Sequence, residues 1–552
     1  MSSLNVEQVK AESRGLRGSI ASEITEPSPR FSEESATLLK FHGTYQQEDR
    51  DARKSAREGG GEKSWSFMIR VKATGGRIPA PLWSALDELA DRHGNGTLRV
   101  TTRQGVQLHG VRKEQLRPVI ADVVAHLGST LATCGDVVRN VMAPPWPYAH
   151  PAYRLAREAA AAISDEFAPR TGAYLEIWQD GEVVHGGAPA DEPIYGTTYL
   201  PRKFKIAVTV PGDNSVDLYT NDVGVVPVFG DDGAPIACDI VAGGGLGRTH
   251  GKTTTYPRLA DHFGSVPVDR LLDAVRAIVL VQRDWGDRTD RRHARLKYLI
   301  ADRGLEWFRA EVERVAGFAV GPWHALPAWE DTSRFGWHAQ GDNRWFLGLH
   351  ATSGRVRDDG ERRLKSALRA LADAGYDLVA TPGQQLLIVD VPAQARERVD
   401  GVLRAHGVEA PENVSQVRRR ALACPAMPTC GLALAESERV IPALLDEIET
   451  ELANAGLAGE PIVMRMTGCP NGCARPYMAE VGIVGQSLDR YQLYLGGDPA
   501  STRLAILWRE RVTLADIPVL LAPLFAGFAA SRRAGEPFGD WCAREVVAPV
   551  PA

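Results

Sequence analysis

Two short loops near the C-terminal end carry four cysteines whose spacing suits redox chemistry: Cys424 and Cys430 in ACPAMPTCG, then Cys469 and Cys473 in TGCPNGCARP. The pairs read C-x5-C and C-x3-C, and the chain between them reads as one helix and one strand, enough to fold one pair onto the other. Four thiolates from two loops can hold one iron-sulfur cluster. A structural zinc site or two disulfides are the alternatives. Paired zinc ligands usually stand roughly two to four residues apart, so the first pair suits zinc poorly, and no histidine lies near either loop. Cys134, Cys238 and Cys542 stand singly and read as ordinary core or surface residues.

A second chemistry is written in cations. In LRVTTRQGVQLHGV (98–111), read as a strand, alternation puts Arg99, Thr101, Arg103, Gly105, Gln107 and His109 on one face. A strand taken at random would carry such arginines toward solvent. A face this polar, with a glycine that permits close approach, is also how the floor of an anion site is built. Arginine suits carboxylates because its planar fork bonds them in pairs. Arg70 sits among apolar neighbours in FMIRVKA and needs a partner. Arg139 and Asn140 lie in CGDVVRNVMAPPWP; Arg202, Lys203 and Lys205 lie in YLPRKFKIAV, the two lysines on one face. Alone, a K-x-K is a solvated strand edge.

The elements that must position these residues show an internal repeat. SALDELAD (84–91) recurs as SALRALAD (366–373), and 98–111 aligns without gaps to LVATPGQQLLIVDV (378–391). Arg99, Arg103 and His109 become Val379, Gly383 and Val389, so the first copy is read as the functional one. The first strand is expected from Trp65 to Lys72. Residues 1–30 are polar, without a sustained apolar pattern, and are expected to be mobile in isolation; residues 54–64 read as a surface loop. The glycine-rich run GGGLGRTHGKTTTYPRL (243–259) lacks the spacing of a phosphate loop. The basic run DRTDRRHARLKYL (287–299), inside a helical pattern spanning 268–316, reads as a solvated helix face.

With 552 residues and 44% hydrophobic content, more than one core is expected. Lys and Arg number 64 against 69 Asp and Glu, a net −5 that gives no reason to expect nucleic acid or an anionic membrane as partner. No run of 18 apolar residues occurs and the first residues are polar, so a cytoplasmic protein is expected, in which thiolate ligands stay reduced.

TGCPNGCARPYMAEVGIVG together with ACPAMPTCGLALAESER resembles the cluster signature of the sulfite and assimilatory nitrite reductases, and the likeness runs almost end to end through FHGTYQQEDRD, LRVTTRQGVQLHG, YLPRKFKIAV and FGDW. It is strongest to the hemoprotein (beta) subunits of NADPH-dependent sulfite reductases. The resemblance implies a [4Fe-4S] cluster on the four cysteines, with Cys473 also ligating a siroheme iron. It implies siroheme contacts at Arg99, Arg103, Gln107, His109, Asn140, Arg202, Lys297, Ala433 and Asn471, and substrate contacts at Arg70, Arg139, Lys203 and Lys205. Gly135 stands where the relatives carry asparagine. The implied fold is α+β: two pseudo-twofold ferredoxin-like units and two larger siroheme and iron-sulfur α+β domains. The implied bounds are 1–64 for an extended N-terminal segment, 65–131 plus 335–411 for the repeats, 132–334 for siroheme and substrate, and 412–552 for the cluster. The implied reaction is six-electron reduction of sulfite to sulfide. No flavin or nicotinamide motif is visible, so electrons are expected from a flavoprotein reductase subunit (alpha component) or, alternatively, from ferredoxin.

Overall fold

The computed structural model describes residues 5–53, 63–174, 192–330 and 333–547, and the backbone of 177–179 and 182–185; most of the loop expected at 54–64 lies outside the described residues. The repeat seen in the sequence is a repeat in space. Helix Ala80–His93 buries Leu82, Trp83, Leu86 and Leu89 at helical spacing, and helix Leu364–Asp373 buries Leu364, Leu368 and Leu371 in the same way. The two helices pack on each other and share one core with Leu98, Leu108, Leu378 and Ile388. Each fully buried leucine stabilises that core by about 1.5–3 kcal/mol.

The segment read as one strand is a hairpin, and this corrects the sequence reading. Leu98–Val100 and Val106–Val111 pair antiparallel around a turn in which Gln104 adopts φ +59°. The second copy repeats it with Leu378–Ala380, Leu386–Pro392 and Gln384 at φ +61°. In both, a threonine hydroxyl accepts the backbone N–H four residues on, Thr101 from Gly105 and Thr381 from Gln385, each at 3.0 Å. Arg99 and Gln107 still share a face, because they are cross-strand partners, whereas Arg103 sits at the turn. The halves exchange edge strands. Arg355–Val356 completes the first five-stranded sheet and Arg77–Ile78 the second, which fixes the halves as one unit.

A four-stranded sheet, Ile206–Val208 parallel to Val223–Phe229 and then antiparallel to Pro235–Ala242 and Asp261–Val266, carries helices Pro151–Glu166 and Leu271–Trp285 over an apolar core. A five-stranded sheet runs Leu422–Ala423, Met464–Thr467, Val481–Ser487, Arg490–Leu495 and Ile506–Val512, its first three strands parallel. Helices Ile441–Asn454 and Asp516–Ser531 pack together above it. The architecture is α+β, with ferredoxin-like halves.

Two further readings are corrected here. The basic run 287–299 is not one helix face: residues 286–295 form a loop between helices Leu271–Trp285 and Leu296–Arg303, and Arg291 and Arg295 turn inward. The N-terminal residues are not free of the fold. Helix Val6–Ala11, capped by the Asn5 side chain, presents Lys10 to the interior, where Nζ donates to Leu200 O at 2.9 Å and faces Asp136 at 3.6 Å. Leu16 is fully buried in the core of the four-stranded unit. One buried leucine and one bonded lysine outweigh a polar composition, because the bare segment has no core of its own. Removal of residues 1–20 is therefore expected to cost about 2–4 kcal/mol of unfolding free energy and to lower turnover with every electron donor. Denaturant unfolding beside assays with a small reductant and a protein donor checks this. Intact stability with loss confined to the protein donor would make the segment a docking arm instead.

Candidate functional site

The two cysteine loops begin where neighbouring parallel strands end. Ala423 pairs with Met466, so Cys424 and Cys469 leave the sheet side by side at its C-terminal edge, where open parallel sheets place their ligands. Cys424 N–H donates to Met466 O at 3.2 Å, and Gly468 N–H donates to Cys424 Sγ at 3.3 Å. A side chain at Gly468 would put Cβ 2.4 Å from Ala435 O, so only glycine lets the loops close. On the first loop, Arg50 donates to the carbonyls of Cys430 (3.3 Å) and Ala433 (2.5 Å). On the second, Asn471 Nδ2 donates to Cys469 Sγ at 3.5 Å. Donors aimed at sulfur are a known means of tuning a cluster's potential.

Cys424, Cys430 and Cys469 are held above the ordinary thiol range by burial and then by the neighbouring Cys473, Cys469 being pushed up to about 12. Such thiols ionise when a cation takes their proton's place. Among the described residues no three His, Cys, Asp or Glu side chains converge on a single-ion point. Cys473 itself is exposed.

Facing this sulfur group is an interior collection of cations. Arg70 and Arg139 both donate to Thr133 O, at 3.4 and 3.2 Å, and Arg139 Nε donates to Gly135 O at 2.8 Å. Gly135 has φ +85°, and a Cβ there would lie 2.7 Å from the Phe41 ring, so this packing has no room for the asparagine that the resemblance implied. Lys203 and Lys205 make no hydrogen bond through their ammonium groups among the described residues. Burial, then Arg202 and Arg295, brings Lys203 down to about 7; burial, then Lys203 and Arg103, holds Lys205 well below the usual lysine range. Arg103 and Arg202 are lowered to about 9 and about 10, in each case first by burial.

Few carboxylates answer them. Asp136 accepts both arms of Arg291 at 2.6 and 2.8 Å and lies 3.7 Å from Arg202; although burial works the other way, Arg291 brings it down to about 2. Asp222 accepts from Arg295 at 2.6 Å and from Lys205 N–H at 2.8 Å. The remaining positive charge is costly unless a polyanion shares the site. His109 is buried with neither ring nitrogen bonded, held neutral by burial and by Arg355 and Arg99. Asn140 Oδ1 and Arg103 Nε are likewise buried without partners. Arg103 gives its other nitrogens to Asn221 Oδ1 at 2.8 Å and to the carbonyls of Asn140 and Ile206 at 2.7 and 3.0 Å, so its open Nε–H and a ring N–H of His109 are the orphaned donors that, beside surplus cations, fit a tetrapyrrole with eight carboxylates.

Some residues expected at the cofactor are committed to protein partners. Arg99 donates to Glu438 at 3.0 Å and to Ala423 O at 2.7 Å, bracing the residue before Cys424. Lys297, fully buried, donates to the carbonyls of Gly245 (3.1 Å), Gly247 (3.0 Å) and Tyr256, so it staples the glycine-rich run. Gln107, its amide assigned by the donors and acceptors around it, turns its oxygen to Arg70 at 2.7 Å. Asn140 Nδ2 donates to Ala73 O and Arg103 O, both at 2.8 Å. Cys134, read as ordinary, has Arg70 Nη1 3.1 Å from its sulfur.

Cys473 is where the parts meet. Thr102 of the first hairpin turn donates to Cys473 O at 3.0 Å, Arg475 donates back to Thr102 O at 2.9 Å, and Arg248 N–H of the glycine-rich run donates to Pro470 O at 3.0 Å. Both Arg70 and Lys203 lie within electrostatic reach of the Cys473 sulfur. Arg295, Arg475 and Asp136 were missed from the sequence, because nothing in their spacing shows which way they point.

Comparison with known proteins agrees with this geometry. Residues 158–319 match the nitrite and sulphite reductase 4Fe-4S domain, and residues 61–126 match the nitrite/sulfite reductase ferredoxin-like half domain. The chain is 50% identical to the sulfite reductase [ferredoxin] of Synechococcus elongatus, over 98% of this chain and 89% of that one. It is 45% identical to the sulfite reductase [NADPH] hemoprotein beta-component of Myxococcus xanthus, over 99% and 97%. The solved Mycobacterium tuberculosis NirA protein has the same fold, with a TM-score of 0.78 at 24% identity over 98% and 96% of the two chains. No described helix is long and apolar enough to cross a membrane. The chain belongs to the nitrite/sulfite reductase family, as a sulfite reductase hemoprotein whose cofactors are siroheme and a [4Fe-4S] cluster.

Proposed function

We propose that this chain reduces sulfite to sulfide by six electrons in cytosolic sulfur assimilation, with Cys424, Cys430, Cys469 and Cys473 as cluster ligands and Cys473 shared with the siroheme iron. The observation that carries this reading is that the two cysteine loops close on each other at the ends of paired strands, Gly468 N–H bonding Cys424 Sγ, while the turn of the cation-bearing hairpin bonds Cys473 O through Thr102. When bound, the coupled cofactors supply the electrons and the iron that holds the anion.

The chain's own side chains do the rest. Arg139, bonded through Nε and Nη1, keeps its Nη2 edge for the anion, and Arg70, braced on Thr133 O and Gln107, adds its charge beside it. Lys203, brought down to about 7, and Lys205, held well below the usual lysine range, give up protons more readily than a free lysine, and each oxygen lost from sulfite needs protons to leave as water. Arg103, Arg202, Asn140, Gln107, His109, Ala433 and Asn471 line the cofactor. Arg99 and Lys297 hold the loops beside it.

Electrons come from outside the chain. A partner flavoprotein drawing on NADPH is the first reading, supported by the name of the Myxococcus relative. Ferredoxin is the second, favoured by the name of the Synechococcus relative. Turnover of sulfite and nitrite side by side with a small reductant, then with each protein donor, tests the proposal. Sulfite is expected to be preferred by at least about tenfold in kcat/KM, roughly 1.4 kcal/mol. A preference for nitrite overturns the substrate, and a colourless protein overturns the cofactor assignment.

A further inference from the structure

The pseudo-twofold relation of the two hairpins gives the second turn a position equivalent to that of the turn at Cys473. There Thr381, Gly383 and Gln385 border a solvent-open cleft with a cavity volume of about 100 Å³, whose lining contains none of the cysteines and neither Lys203 nor Lys205. Gly383 stands where the first copy has Arg103. The cations at this second place come instead from other segments: Arg334, Arg419, Arg465 and Arg475 line the cleft, as does Arg420, which donates to Gln416 at 2.7 Å. Among the described residues the carboxylates in the lining are Asp217 and Glu330.

Asp217 is already spent. It accepts from Arg465 Nη1 at 3.0 Å and pairs with Arg475, so one negative charge serves two guanidinium groups. Arg475 gives its remaining arms to Thr102 O and to Pro382 O at 2.8 Å, forming the wall between the two turns. Arg465 is 8% exposed, and its Nε is buried without a partner. Arg419 makes no guanidinium hydrogen bond among the described residues, stands 5.4 Å over the Phe335 ring, and has its Nε buried without a partner. Arg465 Nη2 donates to Ser501 Oγ at 3.4 Å, so what stays open is a buried Nε–H on each of Arg419 and Arg465 and the free guanidinium edge of Arg419, and such unmet donors call for oxygen acceptors. Trp146, Leu422 and Val463 supply an apolar wall, and the enclosed space suits a group the size of a small anion.

We propose that this cleft is a second anion site, which binds a small ligand through a tetrahedral dianion, a phosphate or sulfate group. Titration of the holoenzyme with inorganic phosphate, sulfate and chloride, followed by calorimetry at low ionic strength, tests it. Phosphate or sulfate should bind at least about tenfold more tightly than chloride. Arg419→Ala and Arg334→Ala should each weaken that binding at least about tenfold while leaving the visible spectrum and sulfite turnover unchanged. Lys203→Met should leave it intact. Equal affinity for chloride, or binding lost with Lys203→Met and kept in both arginine variants, overturns the proposal.

Discussion

Cys473→Ser is expected to abolish sulfite turnover, by more than about a hundredfold or roughly 2.7 kcal/mol, and to change the visible spectrum and iron content together. The reason is geometric as well as chemical. A serine hydroxyl is a poor iron ligand at neutral pH, and Cys473 is the one member of the four that is exposed rather than wrapped in its own loop. Its backbone carbonyl is already held by Thr102 at 3.0 Å, so the substitution removes the sulfur without releasing the loop. Optical spectra, iron and labile-sulfide content and turnover on the same preparation check this. Normal turnover with an unchanged spectrum would remove Cys473 from the centre. Loss of turnover with both cofactors fully retained would make it a residue of the anion site only.

Lys203→Met and Lys205→Met are expected to lower kcat by at least about tenfold while siroheme content stays near that of the parent. The pH dependence carries the sign. A lysine donates its proton only while charged, so the rate should fall as pH rises through its folded value. For Lys203 that value lies at about 7 with only protein groups around it. Carboxylates brought in by the cofactor favour the charged form and move the limb upward. Lys203→Arg keeps the charge but titrates far higher, so it should retain anion binding, lose most of kcat and flatten the basic limb. A pH profile of kcat and of kcat/KM for parent, Met and Arg variants decides. If all turn over sulfite within about twofold of one another, the two lysines serve only to balance charge.

Cys424, Cys430, Cys469 and Cys473 are legible because their chemistry is local: two short loops, each carrying two thiols, need only adjacent strand ends to meet, and Leu422–Ala423 and Met464–Thr467 provide them. The repeat is legible because an amphipathic helix and its following hairpin keep their apolar period whatever their partners. The turn inside each hairpin was not. TTRQG satisfies the alternation of a strand, and only the left-handed Gln104 and the Thr101 hydroxyl on Gly105 N–H reverse the chain.

Charge pairing is where reading the chain alone stopped. Lys297 and Arg99 carry the right charge for an anionic cofactor, yet carbonyls of the glycine-rich run take the first, and Glu438 and Ala423 take the second. Lys10 lies in a segment polar enough to be mobile, yet it is buried against Asp136, 126 positions away by number (136 − 10). Arg475 joins Thr102 to Pro382, residues of the two turns. The sequence by itself determined the residue types, the spacing of the cysteines and the duplication of the unit, because each is set by neighbours along the chain. Which cations stay free for an anion, and which are consumed as struts, was decided only by the tertiary structure, since a buried charge is governed by the sum of groups that distant segments bring within a few ångströms.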